Sequence, residues 1–506
     1  MRKAVTISFL LGAGIAIPAM ASAAPRGPGG EGRPAAEAPP GAAERPTPQP
    51  EFAGSAKEHD WPQWRGQRRD GISRETGLLG TWPKEGPPLA WKVEGLGGGY
   101  SAPSVAAGRI FGTSLRGEDE VVWALSEADG STLWVARLGP AARQRMPQGK
   151  EGPGSTPTVD GELLYALGLS GDLACLQVRD GAIVWRRSLP RDFGGLAPTW
   201  SFRESPLADG DKVICTPGGE GAVLVALDKR TGEEIWRSAA VAVEVHQANA
   251  TSSDVSFDLE LREKVPSRDA SGAPPAGRRH GFGRGFGGSG AAYASAIAVD
   301  FEGERQYVQL TATGLVGVAA SDGRFLWRYD RPANTHRINC ATPIYHDGFV
   351  FTSSAYDAGG GLVKLTKDGA GGIRAEEVYY SEDLRNHHGG VVLFEGCLYG
   401  ASGGNEGGYL VCLDFRTGKL LWSEEERGKR RAPKGSVALA DGRLYYRTES
   451  GAMLLIEPSP KEYIERGRFE QPHRSRQPAW AHPVVANGRL YLRDQDVLLC
   501  YHVKAK

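Results

Sequence analysis

The chain of 506 residues lacks most of the marks from which a function is read. Its 60 basic and 60 acidic residues cancel. A neutral balance gives no support for a nucleic-acid partner or for general electrostatic binding to a membrane. Beyond the N-terminus no stretch reaches the ~18–20 apolar residues of a spanning helix. There is no C-x-x-C-H, so no covalent haem is expected. G-x-S-x-G, H-E-x-x-H and the phosphate-binding loop are also missing. "GFGRGFGG" (281–288) contains a G-x-G-x-x-G spacing, but in a low-complexity run without βαβ context, and is dismissed as a dinucleotide site. What the chain has in abundance is glycine and proline, 70 and 33 residues. That is the turn content many short strands require.

The N-terminus reads as a targeting segment. Met1-Arg2-Lys3 is basic, Ala4 to Met20 is largely apolar, and Ala21-Ser22-Ala23 is a small-residue cleavage site. Residues 1–23 are therefore expected to be a secretory signal peptide, placing the mature chain in the periplasm or outside the cell. No twin arginine and no cysteine lies there, so no lipid anchor is expected. Residues 24–57 are rich in Pro, Ala, Gly and Glu with few large apolar groups, the composition of a disordered linker.

The rest repeats. "DKRTGEEIW" (228–236) returns as "DFRTGKLLW" (414–422) and, more loosely, as "SEADGSTLW", "QVRDGAIVW" and "AASDGRFLW". The closing tryptophans are Trp134, Trp185, Trp236, Trp327 and Trp422, each four residues after a glycine. The first gaps are 51 and 51. A gap of 91 holds a low-complexity insertion at 246–290, and a gap of 95 holds two units, with one Trp missing near Tyr379–Tyr380. Each unit opens alike, as in "SAPSVAAGRIF", "STPTVDGELLY" and "AHPVVANGRLY". Four antiparallel strands per unit make a propeller blade. Units fall at 101–138, 154–189, 203–239, 291–330, 339–384, 387–426, 432–470 and 479–503. The last has only three strands, and "PPLAWKVEG" (87–95) supplies the fourth. The expectation is an all-β, eight-bladed β-propeller over 58–503, closed by an N-terminal strand, which removes exposed sheet edges. A Trp buries roughly 150–250 Å², so the repeated indoles are read as wedges between blades.

Ala226 to Trp236 meets A-x-D-x-x-T-G-x-x-x-W in full and resembles the tryptophan-docking motif of the quinoprotein alcohol dehydrogenase-like propellers. That superfamily includes dehydrogenases dependent on pyrroloquinoline quinone (PQQ) and the non-enzymatic BamB-type outer-membrane assembly scaffold. "DWPQWRGQRRDGIS" (60–73), "NHHGGVV" (386–392) and "WAHPVVANGRLYLRDQDVLLCY" (480–501) are similar to exported PQQ-like repeat proteins of planctomycete type. The resemblance implies a possible PQQ site. Such a site needs cations for three carboxylates, flat groups around the ring and usually Ca²⁺, which takes six to eight oxygen ligands. In the family's alcohol dehydrogenases the ring lies on a disulfide of adjacent cysteines. This chain has six cysteines and no Cys-Cys pair. Cys175, Cys412 and Cys500 share the repeat position of Ala124 and Ala226 and read as small buried residues. Cys397 and Cys412 could face each other across a hairpin, where an exported chain permits a disulfide.

Function is then sought in the unlike residues where loops lead into the innermost strands. These are Tyr100, Ser101, Arg203, Glu204, Asn339, His387, His388, Lys434, Trp480 and His482, with His336 nearby. Lys434 and Arg203 suit carboxylates, Trp480 suits a ring, and histidine pairs suit a transition metal, although adjacent His387 and His388 would point to opposite faces of a strand. "ERGKRRAPK" (426–434) reads as a solvated loop or an anion-attracting rim, and Trp61 and Trp64 as a clamp for the N-terminal segment. Two functions follow. The first is an exported, monomeric, non-catalytic scaffold that binds a protein partner or small ligand. The second is a PQQ- and Ca²⁺-dependent alcohol or sugar dehydrogenase, with His387 or His388 as a base near neutral pH.

Overall fold

Each repeat unit folds as a four-stranded antiparallel sheet because Gly turns separate short alternating runs whose buried faces meet neighbouring units. The computed structural model describes residues 57–141, 152–239, 290–369, 371–424 and 432–505. The expected signal peptide, nearly all of the linker and insertion, and most of the basic run lie outside the described residues.

Eight blades form in chain order. The innermost strands are Ser104–Ala106, Thr158–Asp160, Leu207–Asp209, Ile297–Phe301, Ile344–His346, Val391–Phe394, Gly435–Ala440 and Val484–Ala486. Several of them touch their neighbours around the axis. The eighth blade borrows Leu89–Val93, which pairs antiparallel with Val497–His502. The only helix among the described residues is Leu189–Phe193.

One register feature recurs in every blade. The third and fourth strands pair with a bulge beside the wedge position: Ala124 faces Trp134, Cys175 faces Trp185, Ala226 faces Trp236, Cys412 faces Trp422 and Cys500 faces Trp91. A small residue there leaves room for the indole, and the bulge turns it outward. Four of the repeat tryptophans then reach the next blade. Trp134, Trp185 and Trp236 lie against Gly181, Gly232 and Gly323. Their Nε1 groups donate to Val178, Lys229 and Ala320 carbonyls at 3.0–3.1 Å. Trp422 donates to the Ser459 carbonyl at 2.7 Å. Tyr379 takes the vacant place, against Gly418, with its hydroxyl on the Phe415 carbonyl. Trp327 departs from the wedge expectation: it donates to Gln306 of its own blade at 2.6 Å. The seventh blade has Gly467 at the wedge position, and Trp82 from the N-terminal segment packs there with Tyr445 and Phe469.

The N-terminal segment also crosses the channel. Trp61 exchanges two 2.8 Å backbone hydrogen bonds with Val105, and the Pro62 carbonyl accepts from Val159 at 2.8 Å. Buried Arg69 donates to the carbonyls of Ser205, Pro206 and Ala296. Trp64 Nε1 donates to Thr342 Oγ1 at 2.8 Å, and Arg65 to the Val391 carbonyl at 2.5 Å. Ile72–Ser73 pairs parallel with Gly435–Ala440, and Glu75 accepts from Gly488 N at 2.7 Å. One short stretch thus ties all eight blades.

All six cysteines are free. Cys397 lies opposite Asp414 and Cys412 opposite Tyr399. The two thiols are therefore diagonal neighbours that touch across the hairpin, and both are free.

Candidate functional site

In an up-and-down blade, the loops leading into the first strand and those joining the second to the third lie at the same end. At that end of the channel is a cavity of about 220 Å³. Trp64 is among its lining residues, and the rest come from blade loops. On the other side of the N-terminal segment a second cavity of about 590 Å³ includes Gln63, Arg68 and Asp70. The segment thus divides the channel.

The cavity wall is aromatic: Trp64, Tyr100, Trp200, Tyr293, Tyr356 and Trp480 line it, with His387, His388, His482, Arg203, Cys340 and Asn405. Five of the eight expected ligand-binding residues are at the wall: Arg203, His387, His388, Trp480 and His482. Three are behind it. Asn339 is fully buried and holds its own loop, accepting from Asn334 N and donating to the Thr311 carbonyl. Glu204 accepts from Thr216 N at 2.5 Å, and burial pushes its carboxyl up to about 7. Lys434 is buried, donating to the Gly404 carbonyl at 2.5 Å and lying 3.3 Å from Glu449.

The two adjacent histidines do not diverge as a strand would make them. "NHHGG" is a loop ahead of Val391–Phe394, pinned by buried Asn386, whose side chain bonds Gly390 N, the Gly390 carbonyl and the Ala401 carbonyl. Gly389 abuts the Gly435 carbonyl too closely for a Cβ, and Gly390 has φ +70°. The loop turns both rings to the cavity, 4.3 Å apart.

Lys434 sets the tautomer of His387. Lys434 Nζ lies 3.2 Å from Nδ1 and can only donate, so Nδ1 is the acceptor. Nε2–H then donates to the Tyr356 hydroxyl at 2.7 Å, whose own proton goes to Asn405 Oδ1 at 3.3 Å. The one imidazole lone pair is occupied. Burial, and then the Lys434 charge, lower the pKa of His387 to about 3. Burial and neighbouring charge also hold His388 well below the usual range and His482 at about 3. A base near neutral pH, expected from sequence, is therefore not what these rings provide.

His388 is partnered differently. Its Nε2 lies 3.1 Å from Glu449 Oε1, off the line of a hydrogen bond, and both ring nitrogens are buried without a hydrogen-bond partner. The same Glu449 oxygen accepts from Trp480 Nε1 at 2.8 Å, fixing that indole beside Tyr100 and His388. His482 Nε2 donates to the His388 carbonyl at 2.9 Å and its ring packs on Trp64.

Sequence reading missed Trp64 as a wall residue, and Trp200, Tyr293, Cys340, Tyr356, Asn405 and Glu449 entirely. A signal existed for two: Tyr356 and Asn405 occupy the second turn of adjacent blades, which topology places at the cavity end.

A relative, the outer membrane protein assembly factor BamB of Salmonella typhimurium, is 33% identical over 141 residues, 27% of this chain and 31% of that protein. The match spans about a third of that relative's length. Quinohemoprotein alcohol dehydrogenase from Comamonas testosteroni shares the fold at TM-score 0.53 and 14% identity, over 90% of this chain and 82% of that one. A europium-containing methanol dehydrogenase does so at TM-score 0.52 and 11% identity, over 86% and 89%. A family model described as outer membrane protein assembly factor BamB matches residues 73–196, 118–272, 286–424 and 406–502, well over half the chain, and with the eight blades this makes the protein a member of the PQQ-like repeat family of β-propellers.

Proposed function

We propose that the protein is an exported, non-catalytic propeller whose axial cavity binds a small ligand. The observation that carries this reading is the cavity itself. It is closed on one side by the N-terminal segment and walled by aromatic rings. Concave, mostly apolar sites with a few polar groups are where ligands bind. The volume is below the about 300–1,000 Å³ of drug-sized ligand sites, so the ligand is a compact one. Arg203, His387, His388, Trp480 and His482 are proposed to contact it, with Lys434 positioning His387 from behind. Export rests on the N-terminal pattern of Met1 to Ala23.

The dehydrogenase reading fares worse against the residues present. PQQ would need its three carboxylates matched and a Ca²⁺ cage of oxygens. Among the described residues no group of three His, Cys, Asp or Glu could hold a metal. No carboxylate lines the cavity, and Cys340 stands there without a neighbouring cysteine. These residues do not fit the cofactor. A protein-docking role is the second reading, favoured by the 141-residue stretch shared with an outer membrane protein assembly factor.

The test is equilibrium dialysis of the purified chain against a small-molecule extract, followed by mass analysis of what is retained. The parent should retain a compound that Trp480→Ala loses, and PQQ with Ca²⁺ should give no dye reduction. Equal retention by parent and variant would defeat the proposal.

A further inference from the structure

The N-terminal segment covers only some of the strand edges that face the channel. In each blade a two-residue turn joins the first strand to the second. The pair beside such a turn exchanges both hydrogen bonds, so the residue before it in the first strand points its N–H and C=O away from its own blade. In three blades the segment takes up these groups. Val105 exchanges hydrogen bonds with Trp61, Val159 N donates to the Pro62 carbonyl, and Leu439 N donates to the Gly71 carbonyl. All three residues are buried. The equivalent Ala208, Tyr345 and Leu393, in the third, fifth and sixth blades, are half-buried, and their outward backbone groups have no partner among the described residues. Ala298 of the fourth blade is in the same state. These four residues line the second cavity, the one of about 590 Å³.

A row of unpaired N–H and C=O groups is a template for a further strand. The channel already shows that use, since Ile72–Ser73 lies as a fifth strand on Gly435–Ala440. Ile297–Phe301 is the longest of the uncovered inner strands, and it packs closely on neither neighbouring inner strand. At about 3.3 Å per residue, its five residues offer about 16 Å to an incoming strand. The charge at the cavity favours one sign. Its two carboxylates are occupied, Asp209 by Arg305 and Tyr307 and Asp70 by Ile72 N. Arg68 also lines it, is exposed, and has no ion pair among the described residues.

We infer that this end of the channel receives an extended, acidic peptide segment of a partner protein, paired as a strand with Ile297–Phe301 and neutralised by Arg68. In this mode main-chain hydrogen bonds supply affinity and alternate side chains supply selectivity. The surface lies across the N-terminal segment from the ligand cavity and is independent of what binds there. It gives the docking reading a place.

The test screens the full chain against a displayed library of random ten-residue peptides, then measures synthetic versions of the enriched sequences by calorimetry. Enriched peptides should alternate β-branched residues with at least one Asp or Glu and bind at about 100 μM or better. N-methylating alternate peptide nitrogens should weaken binding about tenfold, because the pairing is through the main chain. Ala298→Pro removes an N–H that faces the channel and leaves the blade's own ladder intact, and should cost as much. Arg68→Ala should weaken the acidic peptides about fivefold and leave their Gln counterparts unchanged. Circular dichroism and melting curves check that both variants fold. No enriched peptide overturns the inference, as does binding indifferent to N-methylation and to Ala298→Pro. A concentration-dependent dimer of the parent that Ala298→Pro dissolves would assign the edge to a second copy and also overturn it. None of these outcomes bears on retention of a compound in the dialysis test, so the two proposals fail separately.

Discussion

A single lysine decides what His387 can do. Lys434 donates to Nδ1, so the ring has no lone pair left for a substrate proton. Its pKa of about 3 when folded sits far below the usual 6.5. The unfolded chain therefore binds an extra proton between about pH 6.5 and pH 3, and the stability this ring contributes is lost as pH falls through that window. Glu204 works the other way: with its carboxyl raised to about 7, its contribution is lost as pH rises from about 4.5 toward 7. Comparing parent with His387→Gln separates the two. The variant's melting temperature should fall less between about pH 7 and pH 4; superimposable slopes would mean that His387 titrates like an ordinary histidine. Lys434→Met frees Nδ1 and removes a nearby charge, so the His387 imidazole signals in NMR should then titrate at higher pH. An unmoved midpoint would remove Lys434 from its positioning role.

At the scale of the blade, the repeated glycine and the indole beside it form one device. Gly232 has φ +71°, and an added Cβ would lie 2.6 Å from Trp185. Gly210 has φ +60° with open space around it. Ala at either site carries the cost of the left-handed backbone, about 1–2 kcal/mol. Gly232→Ala should lose a further 1–3 kcal/mol or so, because the Trp185 wedge has to shift. Urea unfolding of the two variants measures the difference, and equal losses would show that the indole contributes little. This device was legible in the sequence because most blades use it and so write it again. The closing strand at Leu89–Val93 was legible because the last unit is one strand short. The substitutes were not. Tyr379 fills a Trp position, Trp82 arrives from outside the repeat, and Trp327 turns to Gln306. Each rests on contacts particular to its own blade, and no period announces it. The shared orientation of His387 and His388 was hidden for a related reason: it follows from the Asn386 hydrogen bonds and the tight fit of Gly389, not from alternation along a strand.

For the molecule as a whole, residues 61–75 act as the hub of the ring. Arg69 is buried and donates to carbonyls in two blades. Arg69→Ala strands those carbonyls and leaves a cavity, with an expected loss of about 2–4 kcal/mol. Limited proteolysis should then cut near residues 57–73 faster than in the parent, and an unchanged digestion pattern would argue against the hub. The same segment shapes the site at a distance, since Trp64 supports His482 while bonding to Thr342. The hub also sets an order of events. Asp60 and Asn487, 427 positions apart, share a hydrogen bond, and Leu89 pairs with Tyr501. Pairings this distant make folding slow. A ribosome makes residues 61–75 long before their partners Asn487 and Gly488. A growing chain therefore carries its centrepiece from the start, with nothing complete to seat it in. The hub's contacts with Asn487 and Gly488, and the sheet that Val497–His502 closes, cannot form before those residues emerge. A chain without Val497–His502 has no finished ring, and quality control would meet it as an open arc of blades with bare sheet edges.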